Sequence, residues 1–172
     1  LNGIESEEIS RSIYGNDIES QSTEITKLRV FFLLVDSYAE ELDVLQISHN
    51  LNQNFTNVDA VVYDKKTFGK KDIVIGNPPY VEAKKLKYIA STLKDIYEVY
   101  SGTADLSIYF NELGLNLLAD NGVLSFITTN KFFNTGYGEK VRKQLSSQNI
   151  NILLNFEQVE VFKDILVSSV II

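Results

Sequence analysis

Short apolar runs alternate along the chain with longer segments of helical periodicity. The apolar runs predict strands within residues 13–18, 58–63, 72–75, 122–128, 150–156 and 167–172. Helices are predicted for residues 20–41, 88–100, 105–118 and 139–146, with a short helix or frayed end over 1–12. This alternation favours an α/β fold with a mostly parallel sheet, in which the last two strands can pair antiparallel at an edge.

The first long helix is predicted to lie on the sheet. Ser20 or Ser22 can cap its start, and its pattern continues through about Glu41. Its broad apolar face consists of Ile25, Leu28, Phe31, Phe32 and Val35. The stretch 48–57 is rich in Asn and Gln, so it is predicted to be a loop that precedes the short strand 58–63.

A polar and aromatic tip ends the predicted buried strand that opens at Asp72. Ile73-Val74-Ile75-Gly76 leads into Asn77-Pro78-Pro79-Tyr80, here called the tip, which contains both prolines of the chain. Because proline fixes φ and lacks an N–H, it ends strand pairing and leaves its carbonyl available. An amide oxygen, a carbonyl and an aromatic ring can together hold a flat ring that bears an amine. The alternative is a Pro-Pro turn with a packed tyrosine.

Composition excludes several kinds of site. The chain has no Cys and a single His, His49, which excludes disulfides, thiolate metal centres and a Ser-His-Asp relay; no metal is predicted. The net charge of −7 disfavours nucleic-acid binding by this chain alone, because phosphate contacts need a basic face. No leader pattern and no apolar run of membrane-spanning length occurs, which predicts a cytoplasmic protein without membrane contact.

Two acidic residues precede the tip at predicted strand ends, Asp17 and Asp59. In open α/β sheets an acidic residue at such a strand end commonly accepts hydrogen bonds from ribose hydroxyls, and a second can accept from an adenine amine. Their order predicts a nucleoside-bearing cofactor at a sheet edge shared by these two loops and the tip. Alternatively, each Asp is a cap or turn residue.

Six stretches, taken in order, resemble one enzyme family. They are Ile13-Tyr14-Gly15-Asn16-Asp17-Ile18, Val58-Asp59-Ala60, Asp72 to Tyr80, Ala104-Asp105-Leu106, Gly122 to Lys131 and Val161-Phe162. They are similar to the catalytic domain of γ-class DNA adenine-N6 methyltransferases of type II and type IIG restriction-modification systems. The resemblance implies a Rossmann-like, S-adenosylmethionine-dependent methyltransferase fold with three layers, a mostly parallel sheet and an antiparallel edge hairpin. Residues 1–172 would be a single, partial catalytic domain.

The resemblance also implies a cofactor site. Asp17 would hold the ribose of S-adenosylmethionine, and Ile18 would lie against its adenine face. Asp59, with Ala60 beside it, would bind the adenine amine of the cofactor.

All four tip residues would be catalytic by this resemblance. The side-chain oxygen of Asn77 and the carbonyl of Pro78 would accept the amine hydrogens of a target adenine flipped out of duplex DNA. Tyr80 would stack on that base and Phe162 would contact its edge, whereas Lys131 would contact phosphate. The alternative is that Phe162 is a core residue and Lys131 is merely solvated.

The chain departs from the family at its start. A first strand and its glycine-rich loop should precede Ile13, but residues 1–12 contain only Gly3. This predicts a piece of a longer enzyme that binds the cofactor weakly and is inactive alone. A target-recognition domain and a fused or separate nuclease would then belong to the parent protein. The alternatives are methylation of RNA or of protein glutamine, or a non-catalytic subunit that keeps the methyltransferase fold.

Overall fold

The strands form two sheets, one in each of two units of the chain. In the computed structural model, which describes residues 6–37, 43–63, 68–157 and 168–172, unit 1 is residues 1–63 and unit 2 is residues 64–172. The described strands of unit 1 form a sheet of two, and those of unit 2 a sheet of four. The sequence had predicted one sheet and a single domain over residues 1–172. The single domain stays a prediction.

Six α-helices and six strands lie in the described ranges. The helices are α1 Ser6–Ser12, α2 Ser20–Ser37, α3 Val44–Asn54, α4 Ala90–Ile96, α5 Leu106–Leu117 and α6 Glu139–Ser146. The strands are β1 Gly15–Asn16, β2 Phe55–Thr56, β3 Lys71–Gly76, β4 Leu118–Thr129, β5 Leu154–Asn155 and β6 Ser169–Ile171. No described helix has the length and apolarity needed to cross a membrane.

The predicted loop over residues 48–57 is wrong, because α3 and β2 occupy most of it. The Asp43 side chain caps α3 by accepting a hydrogen bond from the N–H of Gln46. Ile47 and Leu51, one turn apart, are buried with Leu34 of α2 in the core of unit 1. The asparagines that suggested a loop instead make contacts between helices.

The asparagines of α3 provide those contacts. The buried Asn50 amide donates to the Ser10 hydroxyl of α1 at 2.9 Å. The Asn54 amide donates to the backbone carbonyls of Ser10 and Arg11. Because buried amides are stable only when they are hydrogen-bonded, the asparagines fix α1 against α3.

The second strand lies earlier than predicted. β1 pairs in parallel with β2, Gly15 opposite Phe55, whereas the predicted strand 58–63 contains a turn in which the N–H of Tyr63 donates to the carbonyl of Asp59. A Cβ at position 15 would lie 2.5 Å from the Phe55 ring, so this close pairing requires glycine.

The sheet of unit 2 is mixed, with one parallel and two antiparallel pairings. β3 is parallel to β4, whereas β6 is antiparallel to both β4 and β5, in the order β3-β4-β6-β5. The pairing of β5 with β6 is the predicted antiparallel edge pair. Helix α6 has the bounds that its periodicity predicts.

Two predicted burials are wrong. β3 was expected to be buried, but Ile73 and Ile75 are 68% and 75% exposed, because β3 is an edge strand of the described sheet and this face is uncovered. The predicted apolar face of α2 is also largely open, since Ile25, Leu28 and Phe32 are exposed. Apolar periodicity indicates which residues share a face, but not whether another element covers it.

Candidate active site

Strand β3 delivers the tip to the carboxyl edge of the sheet of unit 2. Asn77 is exposed, Pro78 is buried and Tyr80 is half-buried. The Tyr80 hydroxyl lies 3.4 Å from both the Asn77 side-chain oxygen and the Ile127 carbonyl of β4, which makes both of these hydrogen bonds long. The Asn77 oxygen therefore makes only one long hydrogen bond within the described ranges, and the residue is exposed.

The second acceptor at the tip is the carbonyl of Pro78. No hydrogen bond within the described ranges uses this carbonyl or the amide nitrogen of Asn77. An exposed amide oxygen and a nearby unused carbonyl form a pair of acceptors for the two hydrogens of a primary amine.

Tyr80 is held as a neutral phenol. Burial raises the pKa of Tyr80, a hydrogen bond with the Ser169 side chain opposes that rise, and the negative charge of Asp105 adds to it. A neutral ring beside two acceptors suits stacking on a flat base better than proton transfer.

In unit 1 the structure brings the loops after β1 and β2 together. The side-chain amide of Asn57 donates to the backbone carbonyls of Asp17 and Ile18, both at 2.7 Å. The Asn16 amide donates to the Val58 carbonyl at 3.0 Å. The sequence prediction missed both asparagines, although an Asn at the end of each strand is the signal that could have identified them.

The two predicted cofactor carboxylates each form part of a turn. The N–H of Glu19 donates to Asp17 Oδ1 at 2.8 Å, and the N–H of Val61 donates to Asp59 Oδ1 at 3.1 Å. The Oδ2 atoms of both aspartates make no hydrogen bond within the described ranges. The turn role and a ligand role are therefore compatible, with one oxygen for each.

The neighbours of these carboxylates also suit a nucleoside. Ile18 is 64% exposed directly after Asp17, and Ala60 is half-buried directly after Asp59. The exposed Ile18 side chain can lie against a flat base, and the free carboxylate oxygens of the two aspartates can accept hydrogen bonds from a nucleoside. The edge predicted to be shared by these loops and the tip stays a prediction.

Lys131 lies close to the segment that follows the tip. It belongs to the 3-10 turn Asn130–Phe133 after β4, and its side chain is exposed. The salt bridge with Lys84 lowers the pKa of Glu82, and the charges of Lys85 and Lys131 lower it further. The predicted base-contacting Phe162 lies outside the described residues.

Metal ligands are not grouped in the part of the chain that is described. No set of three or more His, Cys, Asp or Glu side chains there could hold an ion. The arrangement of the tip instead offers hydrogen-bond acceptors and an aromatic ring, which can bind and orient an amine without a metal.

A sequence model of the Eco57I restriction-modification methylase family matches residues 11–162. The type II methyltransferase M.BstVI of Geobacillus stearothermophilus is 31% identical over 101 residues, 57% of this chain and 18% of that protein. The type II methyltransferase M.VspI of Vibrio sp. (strain 343) is 28% identical over 148 residues, 84% of this chain and 32% of that protein. The chain thus spans less than two thirds of either relative.

Two solved structures have a similar fold. A Listeria monocytogenes protein described as a class I S-adenosylmethionine-dependent methyltransferase superposes with a TM-score of 0.58 at 16% identity, over 95% of this chain and 55% of that one. The type IIL restriction-modification enzyme MmeI, solved in complex with DNA, gives a TM-score of 0.59 at 15% identity, over 92% of this chain and 23% of that one. The predicted α/β methyltransferase fold is confirmed. Because the family model matches most of the sequence, the chain belongs to the Eco57I restriction-modification methylase family.

Proposed function

We propose that this chain is catalytic in a site-specific DNA methyltransferase that transfers a methyl group from S-adenosylmethionine to N6 of adenine. The enzyme would act in a restriction-modification system. The observation that carries the proposal is the pair of acceptors at the tip, the exposed Asn77 oxygen and the Pro78 carbonyl, next to the half-buried Tyr80 ring. Family membership and the type II methyltransferases among its relatives support it.

The tip would act on the amine of a flipped adenine. Asn77 and Pro78 each accept one N–H, which turns the amine out of the ring plane and makes its lone pair available. Extrusion of the base costs a few kcal/mol, and stacking on Tyr80 returns roughly 1–3 kcal/mol. Positioning and electrostatics then supply most of the catalysis, without a metal or a strong base.

The cofactor would be held by Asp17, Ile18, Asp59 and Ala60. S-adenosylmethionine, when bound, supplies a methyl group on positively charged sulfur. The aspartates would accept hydrogen bonds from ribose and adenine through their Oδ2 atoms, while Oδ1 keeps each turn in place. Because residues 1–12 contain no glycine-rich loop, the chain alone should bind the cofactor weakly and methylate nothing.

Double-stranded DNA is the proposed partner, bound mainly by parts of the parent protein beyond this chain. The net charge of −7 is too acidic for strong binding, but Lys131, Lys84 and Lys85 would form a local basic rim near the tip. Phe162 would contact the flipped base. The restriction-modification family and the DNA complex of its structural neighbour MmeI favour a parent with a target-recognition domain and a fused or separate nuclease.

Methyl transfer by the polypeptide of the complete reading frame tests the proposal. Labelled S-adenosylmethionine is offered with duplex DNA, RNA and a release factor in parallel. Label on adenine N6 of duplex DNA, lost in Asn77→Ala but not in the exposed control Asn52→Ala, is the expected result. Label on RNA or protein glutamine would change the substrate. A folded protein that transfers no label would instead be a non-catalytic subunit.

A further inference from the structure

A buried carboxylate lies beneath the loops at the tip. Asp105 is 6% exposed and caps α5: its Oδ1 accepts hydrogen bonds from the N–H of Ser107 at 3.1 Å and from the Ser107 hydroxyl. Its Oδ2 accepts from the Tyr137 hydroxyl at 3.5 Å, a long bond. Both carboxylate oxygens are therefore used, by different segments of the chain.

Three segments around the candidate active site meet at this point. The chain after the tip is tied to the start of α5 by a hydrogen bond from the Leu106 N–H to the Val81 carbonyl at 2.9 Å. The end of β4 is joined through the Thr129 hydroxyl, 3.4 Å from the Ser107 hydroxyl. The turn Gly136–Gly138 is joined through Tyr137.

The charge of Asp105 also reaches the tip. Burial raises the pKa of both Tyr80 and Tyr137, and the negative charge of Asp105 raises each pKa further. A helix cap does not need to be buried beside two tyrosines. The Asp43 side chain caps α3 by accepting a 2.9 Å hydrogen bond from the Gln46 N–H, and Asp43 is exposed. Asp105 thus combines capping with contacts that a cap does not require.

We propose that Asp105 is a positioning residue, whose buried carboxylate locks the tip, the end of β4 and the Tyr137 turn into one preformed adenine pocket. Its carboxylate acts through Ser107 and Tyr137 rather than by touching the substrate, and the neighbouring Leu106 N–H ties the chain after the tip to the same helix start. The inference rests on the proposed function for its catalytic consequence, but the rigidity of the tip can be measured independently.

The diagnostic variant is Asp105→Asn in the polypeptide of the complete reading frame. Asn caps a helix about as well as Asp, so the capping role is preserved. The variant removes the negative charge and places a donor where Tyr137 needs an acceptor. Asp43→Asn is the matched control. Tyr137→Phe against Tyr109→Phe is a second pair: the charge of Asp105 raises the pKa of Tyr109 too, but the Tyr109 hydroxyl donates to the Ser101 carbonyl and not to Asp105.

Steady-state kinetics on duplex DNA are expected to show a kcat about tenfold to a hundredfold lower for Asp105→Asn and Tyr137→Phe, with KM for the cofactor unchanged. The two controls should leave kcat within about twofold. Equal kcat losses in variants and controls, or unchanged kcat in Asp105→Asn, would overturn the proposal.

Hydrogen exchange separates this inference from the proposed function. Amides in peptides that span 80–82 and 105–108 should exchange faster in Asp105→Asn than in Asp43→Asn, whether or not the protein methylates adenine. If the wild type methylates nothing but these amides loosen, the positioning role stands and the proposed function fails. If they exchange as in the wild type, Asp105 is only a helix cap.

Discussion

Substitution of Gly114 by alanine should disturb both the packing of α5 and the placement of the tip. A Cβ at this position would lie 2.7 and 2.8 Å from two carbons of the Phe126 ring and 2.8 Å from a Leu124 methyl carbon. The opposite edge of the same ring lies 3.1 Å from the position of a Cβ at Gly76, the residue before the tip. Phe126 is thus wedged between two glycines.

The expected magnitude follows from two opposing terms. Overpacking a core costs about 1–3 kcal/mol. Replacing glycine by alanine inside a helix returns roughly 0.8–1 kcal/mol. Since Phe126 is buried, we expect overpacking to prevail, with a net loss of up to about 2 kcal/mol.

Urea unfolding followed by circular dichroism measures this loss, with Gly136→Ala as the matched control. A Cβ at Gly136 would meet no atom within 4 Å, so that variant should unfold at the wild-type urea concentration or slightly above it. Methyl transfer by Gly114→Ala in the parent polypeptide should fall as well. If the Gly114→Ala variant is as stable as the Gly136→Ala variant, Phe126 is not tightly packed against Gly114.

Three further outcomes are expected. Asn50→Ala should lower the free energy of unfolding by about 1–3 kcal/mol, because it removes the buried hydrogen bond to Ser10, whereas Asn52→Ala at an exposed position should not. Urea titration measures both variants, and equal losses would contradict this expectation. Lys131→Ala should reduce the salt slope of DNA binding by about 1, measured by fluorescence anisotropy, and an unchanged slope would rule out its phosphate contact. Because burial raises the pKa of Tyr80 above that of the unfolded chain, its contribution to stability is complete below the ordinary phenol pKa of about 10 and is lost as pH rises through the raised value. Unfolding at increasing alkaline pH should therefore show a smaller loss of stability in Tyr80→Phe, and identical pH profiles would contradict this.

The place of the tip at the end of a strand was predictable because it depends on the local sequence. Proline has no N–H to donate to a partner strand, and two in succession favour the end of a strand, so β3 was correctly placed before Asn77-Pro78-Pro79-Tyr80. Parallel strands place their carboxyl ends side by side, and β1 and β2 accordingly bring the loops after Asp17 and Thr56 together. The family followed from the order of six such stretches, which the family match confirms.

The wrong prediction of a loop over residues 48–57, and the unrecognised contacts of Asp105, both involve polar residues that make long-range hydrogen bonds. Asn50 and Asn54 suggested a loop, but their amides bind α1, forty or more residues earlier in the chain. Asp105 was noticed only as part of a matching stretch, because nothing near it in sequence indicates that Tyr137 will be its partner. Hydrogen bonds over such separations leave no local pattern to detect.

The sequence by itself determined the α/β class, the tip with its acceptors and ring, and the family, because each depends on backbone preferences and side-chain chemistry within a few residues. Only the tertiary structure decided that Ile73 and Ile75 lie open on an edge strand, that Phe126 is wedged between Gly76 and Gly114, and that the Asp105 carboxylate bonds the distant Tyr137 as well as Ser107. Burial and long-range hydrogen bonds depend on which elements meet in space, and the hydropathy of one segment does not specify its neighbour.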